Sequence, residues 1–422
     1  MHVLLTPFGS AGDVYPLIGI GSELQRRGHR ITMITNAYFE DLSRRAGFDF
    51  VPFSSRDDYF RLIQNPDLWH PQKAVPLLAE TSVIPAIPVI YKLIEQHYRP
   101  GETVVVAGSL AMGARVAQEK LGVPLTMIHL QPAVFRSRHE PPMHPGLTWI
   151  AKIPSPLRPA VFRLMDFMID GLYAKPLNDF RRQLGLPAVK RVMDQWWHSP
   201  EQTLAMFPEW FAARQPDWPA CVTMVDFPLY DASPLEPMPV ELEQWLAQGE
   251  APIVFTPGSA MATGNDFFAA SVAACEKLGR RGLLLTRHPD QLPPLPSRVR
   301  HFSHAPFGRL LPRAAAFVHH GGIGTVAQGL AAGTPQLVMP CSYDQLDNAI
   351  RVERLGAGLS LSRSEYRPDM VAALLNRLIT EPQFGQRCRQ HAAAFGARNA
   401  IAEAADLMES HWARRVRSVS AA

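Results

Sequence analysis

Short apolar segments alternate with helical segments in both halves of the chain, and this alternation limits the possible folds more than any other feature. The apolar segments are residues 2–6, 30–35, 103–108 and 124–130 in the first half, and 252–256, 281–286, 316–320 and 335–340 in the second. Helical segments such as 266–278 and 324–332 lie between them, and Pro16 is placed to start a helix that ends near Gly28. Strands that are apolar throughout and separated by helices predict parallel sheets covered on both faces.

The chain has 422 residues, which is more than one ordinary domain needs. Residues 226–250 are rich in proline and acidic side chains and are the predicted linker between a first domain, 1–225, and a second domain, 251–395. Residues 396–422 are expected to form a C-terminal helix that packs on the first domain. The predicted fold class is therefore α/β, with two doubly wound, Rossmann-like domains that face each other across a cleft, and ligands are expected at the carboxyl ends of the strands.

Composition excludes several classes of protein. The net charge is only +4 and no long basic run occurs, so nucleic-acid binding is not expected. The four cysteines are far apart in sequence and match neither a disulfide framework nor a metal motif, which favours a reducing compartment. The N-terminus lacks the basic start of a signal peptide, and the apolar stretch 74–94 contains a glutamate and three prolines. A cytoplasmic protein is therefore expected.

Residues 318–333 read as a strand, a glycine-rich turn and a helix. Glycines allow a ligand to approach the backbone, and the free amides and dipole at a helix N-terminus attract an anion. His320, just before the turn, is placed to donate a charge-assisted hydrogen bond to a phosphate oxygen. The alternative is an ordinary strand-to-helix turn, which also favours glycine.

The next loop, CSYDQLDNA, places Asp344 and Gln345 after a neighbouring strand, and a carboxylate beside an amide suits recognition of adjacent hydroxyl groups. A competing motif is the dinucleotide fingerprint, because Gly322, Gly324 and Ala327 fit G-x-G-x-x-A. In that motif the acidic residue ends the second strand, whereas here residues 340–343 separate Asp344 from the strand. The dinucleotide interpretation is therefore disfavoured.

Residues 318–358 resemble the donor-binding signature of family 1 glycosyltransferases with the GT-B fold, which reads H-x-G-x-x-[ST], then G-x-P, then D-Q-x-x-N-A. The resemblance implies that a nucleotide sugar is the co-substrate and that no metal ion is needed. It implies donor-sugar contacts from Asp344 and Gln345. The residues implied to bind the donor diphosphate are His320, Gly322, Gly324, Thr325, Gly12 and Ser259.

The same resemblance implies a nucleoside site. The segment HAPFGRLLP is similar to the family segment whose backbone, here around Ala305, pairs with the pyrimidine edge. Gln328 stands where many relatives have a glutamate that binds the ribose, and an amide can also bond a hydroxyl group.

Asp13 follows the first strand in TPFGSAGDVYP, at the sheet edge where an acceptor is expected. Sugar transfer to a hydroxyl group needs a base that removes its proton, and Asp13 is the predicted catalytic residue. The alternative is that Asp13 only caps the helix predicted to start at Pro16. Many family members have a histidine at this position with an aspartate near residue 109, where this chain has Ser109. The form G-S-x-G-D-V-x-P resembles instead the branch containing sterol, antibiotic and rhamnolipid glycosyltransferases.

The acceptor is suggested by a closer resemblance, over nearly the whole chain, to the rhamnosyltransferases of rhamnolipid synthesis, which act on 3-hydroxy fatty acid esters. It includes the segments GSAGDVYPLIGI and QWWHSPEQTLAMFPEWFAARQPDWP. Met165 and Met168 lie in the apolar stretch 155–177, which fits an acyl-chain pocket, a buried helix pair or a peripheral membrane contact. His129 and Gln131 follow a strand and are predicted to contact the acceptor.

The sequence thus predicts an inverting glycosyltransferase that moves a hexose or deoxyhexose, first of all rhamnose, from a nucleotide sugar to a 3-hydroxyacyl lipid. The donor is dTDP-rhamnose or UDP-glucose. A glucosyltransferase acting on a hydroxy fatty acid, a flavonoid or a sterol is the alternative within this class. The alternatives from other classes are a non-catalytic subunit that binds sugar nucleotides and an NAD-dependent oxidoreductase.

Overall fold

The computed structural model describes residues 1–230, 237–395 and 399–420. They form two compact units. The first unit comprises Met1–Pro228 together with Asn399–Ala422, and the second comprises Leu229–Arg398.

The first unit contains a seven-stranded parallel sheet. Its strands are β1 (His2–Thr6), β2 (Arg30–Asn36), β3 (Asp49–Ser54), β4 (Thr103–Gly108), β5 (Leu125–His129), β6 (Gln202–Met206) and β7 (Val222–Val225). They are ordered β3-β2-β1-β4-β5-β6-β7. Val3, Leu4 and Leu5 of the central strand β1 are completely buried, because helices cover both faces of the sheet.

The helices of the first unit connect consecutive strands and leave the sheet edge open for loops. They are α1 (Ala11–Arg26), α2 (Glu40–Arg45), α3 (Arg56–Ile63), α4 (Ala74–Leu78), α5 (Ile84–His97), α6 (Met112–Leu121) and α7 (Arg158–Gln183). A π-helical turn, Ala79–Val83, joins α4 to α5, and another, Val192–Trp196, precedes β6.

The segment Ala74–His97 is long and apolar enough to cross a membrane, judged by length and composition alone. One such helix is weak evidence, because the core helix of a soluble protein has the same properties. In this structure Ile87, Ile90 and Ile94 of α5 belong to the hydrophobic core. A methyl group at Gly113 of α6 would lie 2.4 Å from the Ile87 carbonyl oxygen, so α5 and α6 are in close backbone contact.

The second unit contains a six-stranded parallel sheet, ordered β10-β9-β8-β11-β12-β13. Its strands are β8 (Ile253–Thr256), β9 (Gly282–Leu285), β10 (Val299–Phe302), β11 (Ala316–His319), β12 (Gln336–Val338) and β13 (Gly358–Ser360). Its helices are α8 (Val240–Ala247), α9 (Asn265–Leu278), α10 (Phe307–Leu310), α11 (Ile323–Ala331), α12 (Gln345–Arg354), α13 (Pro368–Thr380) and α14 (Pro382–Ala394). Two doubly wound parallel sheets confirm the predicted fold class.

Part of the predicted linker 226–250 is structured, which corrects that prediction. Leu242 and Leu246 of α8 pack in the core of the second unit with Val254 and Phe317, so this helix belongs to that unit. Two of the acidic residues that suggested a linker, Glu241 and Glu243, lie in this short helix, where Glu241 is exposed and Glu243 is half-buried. Residues 231–236 of the predicted linker, and residues 396–398 and 421–422 of the predicted C-terminal segment, lie outside the described residues.

The last helix, α15 (Ala400–Ser420), belongs to the first unit and lies against α1. Met408 and Trp412 are buried there. The Arg27 guanidinium donates hydrogen bonds to Asp406 (2.5 Å) and Glu409 (2.7 Å), so the contact combines an apolar core with a charged border.

Candidate active site

Three predicted donor-binding loops lie next to one another in the second unit. Strand β11 is paired with β8 on one side and with β12 on the other, and all three strands run parallel. The loop after β8 contains Ser259, the loop after β11 contains His320, and the loop after β12 contains Asp344. Sheet pairing therefore brings together residues that are separated by up to 85 positions in sequence.

The His320 ring lies between two glycine backbones. A methyl group at Gly258 would lie 2.8 Å from the His320 Cε1, and one at Gly322 would lie 2.6 Å from its Nε2. Gly258 also has a φ of +100°, which favours glycine. Only glycines at these two positions leave room for the imidazole at this edge of the sheet.

His320 is neutral at physiological pH in the ligand-free chain. Burial lowers the pKa of this side chain to about 4, because an imidazolium would lose its hydration. The imidazole therefore does not carry, before a ligand binds, the positive charge that the charge-assisted hydrogen bond predicted from the sequence requires. An incoming diphosphate would raise the pKa of His320 by supplying an opposite charge.

The neighbouring His319 is completely buried and stabilises the turn. Its Nδ1 accepts a hydrogen bond from the Gly321 amide at 3.0 Å, so its proton is on Nε2, which lies 2.8 Å from Gln336 Oε1. Burial lowers the pKa of His319 to about 3. The two adjacent histidines therefore differ: His319 is buried and fixes the backbone, whereas His320 is half-buried and its contact with a diphosphate stays a prediction.

Helix α11 begins directly after this turn and presents its first amides without a side-chain cap. Gly322 is the N-cap residue, and a methyl group at Gly324 would meet open space. Thr325 and Gln328 are half-buried and lie one turn apart on the same side of α11. The open space at Gly324, the free amides and the helix dipole together form a site suited to an anion.

The loop between β12 and α12 is held by its own polar side chains. Gln345 Oε1 accepts hydrogen bonds from the amides of Cys341 (2.8 Å) and Ser342 (3.1 Å). Asn348 Nδ2 donates to the Gly321 carbonyl (2.9 Å) and to Asp344 Oδ2 (2.6 Å), which links this loop to the histidine turn. The Gln345 oxygen is thus engaged by the loop, and its amide nitrogen remains for the predicted sugar contact. Asp344 is half-buried.

The two remaining donor-side predictions concern Ala305 and Ser259. The Ala305 side chain is buried with Leu310 and Leu311, so only its backbone is available for the predicted pairing with a base. Ser259 is exposed in the turn after β8. Their contacts with a nucleotide remain predictions.

Asp13 in the first unit belongs to the first turn of α1. This helix begins at Ala11, and Pro16 lies inside it, which corrects the predicted helix start. Ser10 is the N-cap residue and forms a capping box with Asp13: the Ser10 amide donates to Asp13 Oδ2 at 2.8 Å. Gly12 is exposed in the same turn and its amide donates to Ser10 Oγ at 3.3 Å. Asp13 therefore caps α1, and its role as the base stays a prediction.

The environment of Asp13 favours proton transfer near neutral pH. Burial raises the pKa of its carboxyl group from 3.8 to about 6, and the hydrogen bonds from Ser10 act in the opposite direction. Gly9 has a φ of +137°, and a methyl group there would lie 2.2 Å from Asp13 Oδ2, so this glycine makes room for the carboxylate. A base works best when its pKa lies close to the working pH, and Asp13 satisfies this better than an ordinary aspartate.

The structure corrects the acceptor role predicted for His129. The side chain is completely buried, and both ring nitrogens have partners: Ser109 Oγ at 2.8 Å and His198 Nδ1 at 3.0 Å. Its position at the end of β5 suggested an exposed residue, but residues 197–198 cover it. Gln131, two residues later, is half-buried and remains a predicted acceptor contact. The partner His198 was not predictable, because it lies 69 positions away in sequence.

Helix α7 has an exposed apolar face, so a buried helix pair does not describe the stretch 155–177. Leu164, Phe167 and Met168 are 63%, 79% and 70% exposed, whereas Met165 is half-buried. The acidic Asp166 of the same helix is buried and paired with Arg136 at 2.6 Å, while Arg163 is exposed. This face is thus apolar with a basic border.

Among residues 1–230, 237–395 and 399–420, no group of three or more His, Cys, Asp or Glu side chains is arranged to hold a metal ion.

Comparison with known proteins gives a family match in each unit. Residues 3–136 match the glycosyltransferase family 28 N-terminal domain, and residues 283–410 match the erythromycin biosynthesis protein CIII-like C-terminal domain. The chain is 27% identical to the O-mycaminosyltylonolide 6-deoxyallosyltransferase of Streptomyces fradiae over 98% of each chain. The chain is a glycosyltransferase with the GT-B fold. The N-terminal match is to family 28, and the motifs that resemble family 1 lie at residues 318–358, within the C-terminal match.

Solved structures of glycosyltransferases share the whole architecture. The glycosyltransferase of kitacinnamycin is 22% identical and superposes with a TM-score of 0.74, covering 97% of this chain and 98% of that one. Spinosyn rhamnosyltransferase in complex with thymidine diphosphate is 19% identical, with a TM-score of 0.68 over 97% of this glycosyltransferase and 100% of the other. At these identities the likeness shows the fold alone.

Proposed function

We propose that this glycosyltransferase moves a deoxyhexose, in the first place rhamnose, from its dTDP-activated form to the hydroxyl group of a 3-hydroxyacyl lipid, with inversion at the anomeric carbon. The observation that supports this most is the donor side of the second unit. There His320, enclosed by Gly258 and Gly322, stands beside the uncapped N-terminus of α11. A diphosphate fits this combination of a histidine N–H, free amides and a helix dipole.

The sugar and the nucleotide are proposed from the relatives. One relative is named as a 6-deoxyallosyltransferase and another as a rhamnosyltransferase with thymidine diphosphate bound. Asp344, which Asn348 holds in place, is proposed to accept hydrogen bonds from the sugar hydroxyl groups. UDP-glucose is the competing donor, because a carboxylate beside an amide suits the hydroxyl groups of either sugar.

The acceptor is proposed from the apolar face of α7 and from the resemblance to rhamnolipid rhamnosyltransferases. Leu164, Phe167 and Met168 offer acyl chains an apolar surface, and Arg163 offers a cation to a carboxylate or an anionic lipid. An enzyme that takes its acceptor from a bilayer would work as a peripheral protein at the inner face of the membrane.

The proposed reaction is a single displacement. As the acceptor oxygen bonds to the anomeric carbon, the bond from that carbon to the diphosphate breaks, and the diphosphate leaves with the bonding electron pair. Asp13 takes the proton of the acceptor hydroxyl group. His320 and the first amides of α11 stabilise the charge that develops on the leaving group.

A second acceptor class is supported by the same relatives. The Streptomyces fradiae enzyme is named for O-mycaminosyltylonolide, and it matches the present chain over its whole length. An antibiotic-type aglycone would then take the place of the lipid, while the donor site and Asp13 would keep their roles.

The test is a turnover assay with purified protein that crosses dTDP-rhamnose and UDP-glucose with a hydroxyalkanoyl-alkanoate, a flavonol and a tylonolide-type aglycone. Products are read by mass spectrometry. A lipid that gains one deoxyhexosyl residue is the expected result. A hexosyl product refutes the donor proposal, and transfer only to the aglycone refutes the lipid proposal. Binding of dTDP without any product supports a non-catalytic subunit, and binding of NAD would favour an oxidoreductase.

A further inference from the structure

Four side chains of the first unit form a continuous chain of hydrogen bonds, here called the histidine relay: Trp197, His198, His129 and Ser109. Trp197 Nε1 donates to His198 Nε2 at 3.0 Å. His198 Nδ1 lies 3.0 Å from His129 Nε2, and His129 Nδ1 lies 2.8 Å from Ser109 Oγ. Trp197, His198 and His129 are buried, whereas Ser109 is half-buried, so the relay runs from the core outward.

The direction of every hydrogen bond in the relay follows from its first member. An indole N–H only donates, so His198 Nε2 accepts and, in the neutral ring, the proton is on Nδ1. His198 then donates to His129 Nε2, which places the proton of His129 on Nδ1, facing Ser109. Burial lowers the pKa of His198 to about 4 and that of His129 well below its usual range, so both rings are neutral.

Ser109 therefore accepts a hydrogen bond from His129, and the Ser109 hydroxyl group can donate its own proton to another oxygen. The other oxygen near it, the Ile128 carbonyl, is 3.4 Å away, which is long for a hydroxyl donor. Aromatic packing fixes the relay, since Phe135 is stacked on His198 with 5.4 Å between ring centroids. A rigid, neutral relay of this kind orients one half-buried hydroxyl group.

The position of Ser109 connects it to the acceptor side. It directly follows β4, which is paired with β1 through Thr6 and Ala107. A methyl group at the preceding Gly108 would lie 3.5 Å from the Phe8 amide nitrogen, so the loops after the two strands are in contact. The loop after β1 leads directly into the helical turn that contains Asp13. Ser109 and Asp13 thus lie at the carboxyl edge of the same two neighbouring strands.

We propose that Ser109 is an acceptor-positioning residue, and that the histidine relay directs its hydroxyl proton toward an oxygen of the bound acceptor. The inference rests on the proposed function. The chemistry recognised is a second oxygen close to the reacting hydroxyl group. A 3-hydroxyacyl ester provides one, since its carbonyl oxygen on C1 and its hydroxyl group on C3 are joined through only three carbon atoms. Ser109 would hold the carbonyl while Asp13 takes the proton from the hydroxyl group.

The first experiment compares steady-state constants for the hydroxyalkanoyl-alkanoate acceptor and dTDP-rhamnose. Ser109→Ala should raise the acceptor KM about tenfold, the loss expected for one hydrogen bond, and leave the donor KM within about twofold. Ser109→Thr keeps the hydroxyl group and should restore most of the loss. An unchanged acceptor KM, or an equal rise in the donor KM, would overturn the assignment while wild-type transfer stands.

The second experiment perturbs the relay at its remote end. In Trp197→Phe, His198 loses the donor that fixes its tautomer, the hydroxyl proton of Ser109 can turn inward, and the acceptor KM should rise about threefold. Trp218→Phe is the matched control. Trp218 is buried in the same aromatic cluster, 4.7 Å from Phe135 between ring centroids, and its indole N–H has no hydrogen-bond partner among the described residues. Equal effects of the two variants would mean that the relay is only structural, against the proposal.

Nitrogen-15 NMR of histidine-labelled protein tests the relay without any acceptor. Wild-type His129 and His198 should both be neutral, with the proton on Nδ1, from about pH 8 to pH 5. A proton on Nε2 of either ring refutes the proposal. A wild-type enzyme that leaves the lipid unchanged refutes the proposed function instead, so the two failures are distinguishable.

Discussion

Asp13 has two roles that a pair of substitutions can separate. Asp13→Asn keeps a side-chain oxygen that can accept the hydrogen bond of the Ser10 amide, now 2.8 Å from Oδ2, but removes the proton acceptor. Asp13→Ala removes both. If Asp13 is the base, the two variants should lose turnover alike. If it is only a cap, they should differ in stability, and neither should lose turnover.

The expected magnitudes follow from the local structure. Loss of a positioned base lowers kcat by about 10²- to 10⁴-fold, and this loss should appear in both variants. Loss of the hydrogen bond from the Ser10 amide lowers the free energy of unfolding by about 0.5–1.5 kcal/mol, and this loss should appear only in Asp13→Ala. Donor affinity, measured by calorimetry with dTDP, should be unchanged in Asp13→Asn, because the predicted donor residues other than Gly12 lie in the second unit and this variant keeps the Ser10 cap that holds the Gly12 amide.

The pH dependence adds an independent check. Burial raises the pKa of Asp13 to about 6, so kcat/KM of the wild type should fall below that pH and reach about a tenth of its plateau near pH 5. The residual activity of Asp13→Asn should lack this fall. Because the pKa is raised on folding, the carboxyl group favours the folded state below pH 3.8, and this contribution is lost as the pH rises through 6. The stability of Asp13→Asn relative to wild type should therefore increase between about pH 4 and pH 6.

One result would refute the reasoning. If Asp13→Asn keeps near wild-type turnover and only Asp13→Ala is less stable, Asp13 is a capping residue and the base must be sought elsewhere. A fall of activity in both variants together with a loss of dTDP binding would also contradict the assignment, since it would indicate a general disturbance of the fold.

Three further predictions concern the donor turn, the α7 face and the buried histidines. Gly324→Ala should weaken dTDP binding about tenfold or more without loss of stability, because its methyl group would occupy the open space at the start of α11. The control is Gly171→Ala, whose methyl group would also have no neighbour within 4 Å. Unchanged calorimetric affinity would place the diphosphate elsewhere. Replacing Phe167 and Met168 by serine should raise the KM of the lipid acceptor most for the longest acyl chains, by about fifteenfold per methylene pair at most. Val240→Ser, at an equally exposed position, should have no effect, and a KM increase independent of chain length would argue against an acyl-chain surface. The thermal midpoint should fall as the pH is lowered from 6.5 to 4, because the unfolded chain takes up protons that the folded chain excludes. The free energy of unfolding should decrease by on the order of 1–3 kcal/mol for each buried histidine. A calorimetric midpoint that does not change with pH would contradict the assignment of neutral rings to His129, His198, His319 and His320.

The sequence predicted the interior of both sheets better than their edges. Interior strands such as β1 and β11 are buried on both faces and therefore appear as continuous apolar runs. The four edge strands, β3, β7, β10 and β13, were not predicted, and neither was β6, which begins with two polar residues. An edge strand such as Val299–Phe302 is partly exposed and contains Arg and His, so its sequence resembles a loop.

The same distinction applies to the site. His320, Gly322 and Gly324 lie within five positions in sequence, so the motif alone predicted a turn in which the structure leaves open space at Gly324. His129 was placed wrongly because its burial depends on His198, and no local pattern reports a partner that distant. The helix start near Asp13 was misplaced because Pro16 suits the first turn of a helix, but the Ser10 cap fixes an earlier start.

The return of α15 to the first unit has a consequence for protein engineering. Residues 1–228 and 399–420 belong to that unit, and the second unit, which we propose binds the nucleotide sugar, is an insertion between Pro228 and Asn399. A chimera that borrows donor specificity from a relative should therefore have two junctions and keep its own α15, whose Asp406 and Glu409 match Arg27. A chimera with a single crossover would pair a foreign final helix with α1 and expose the surface that buries Trp412.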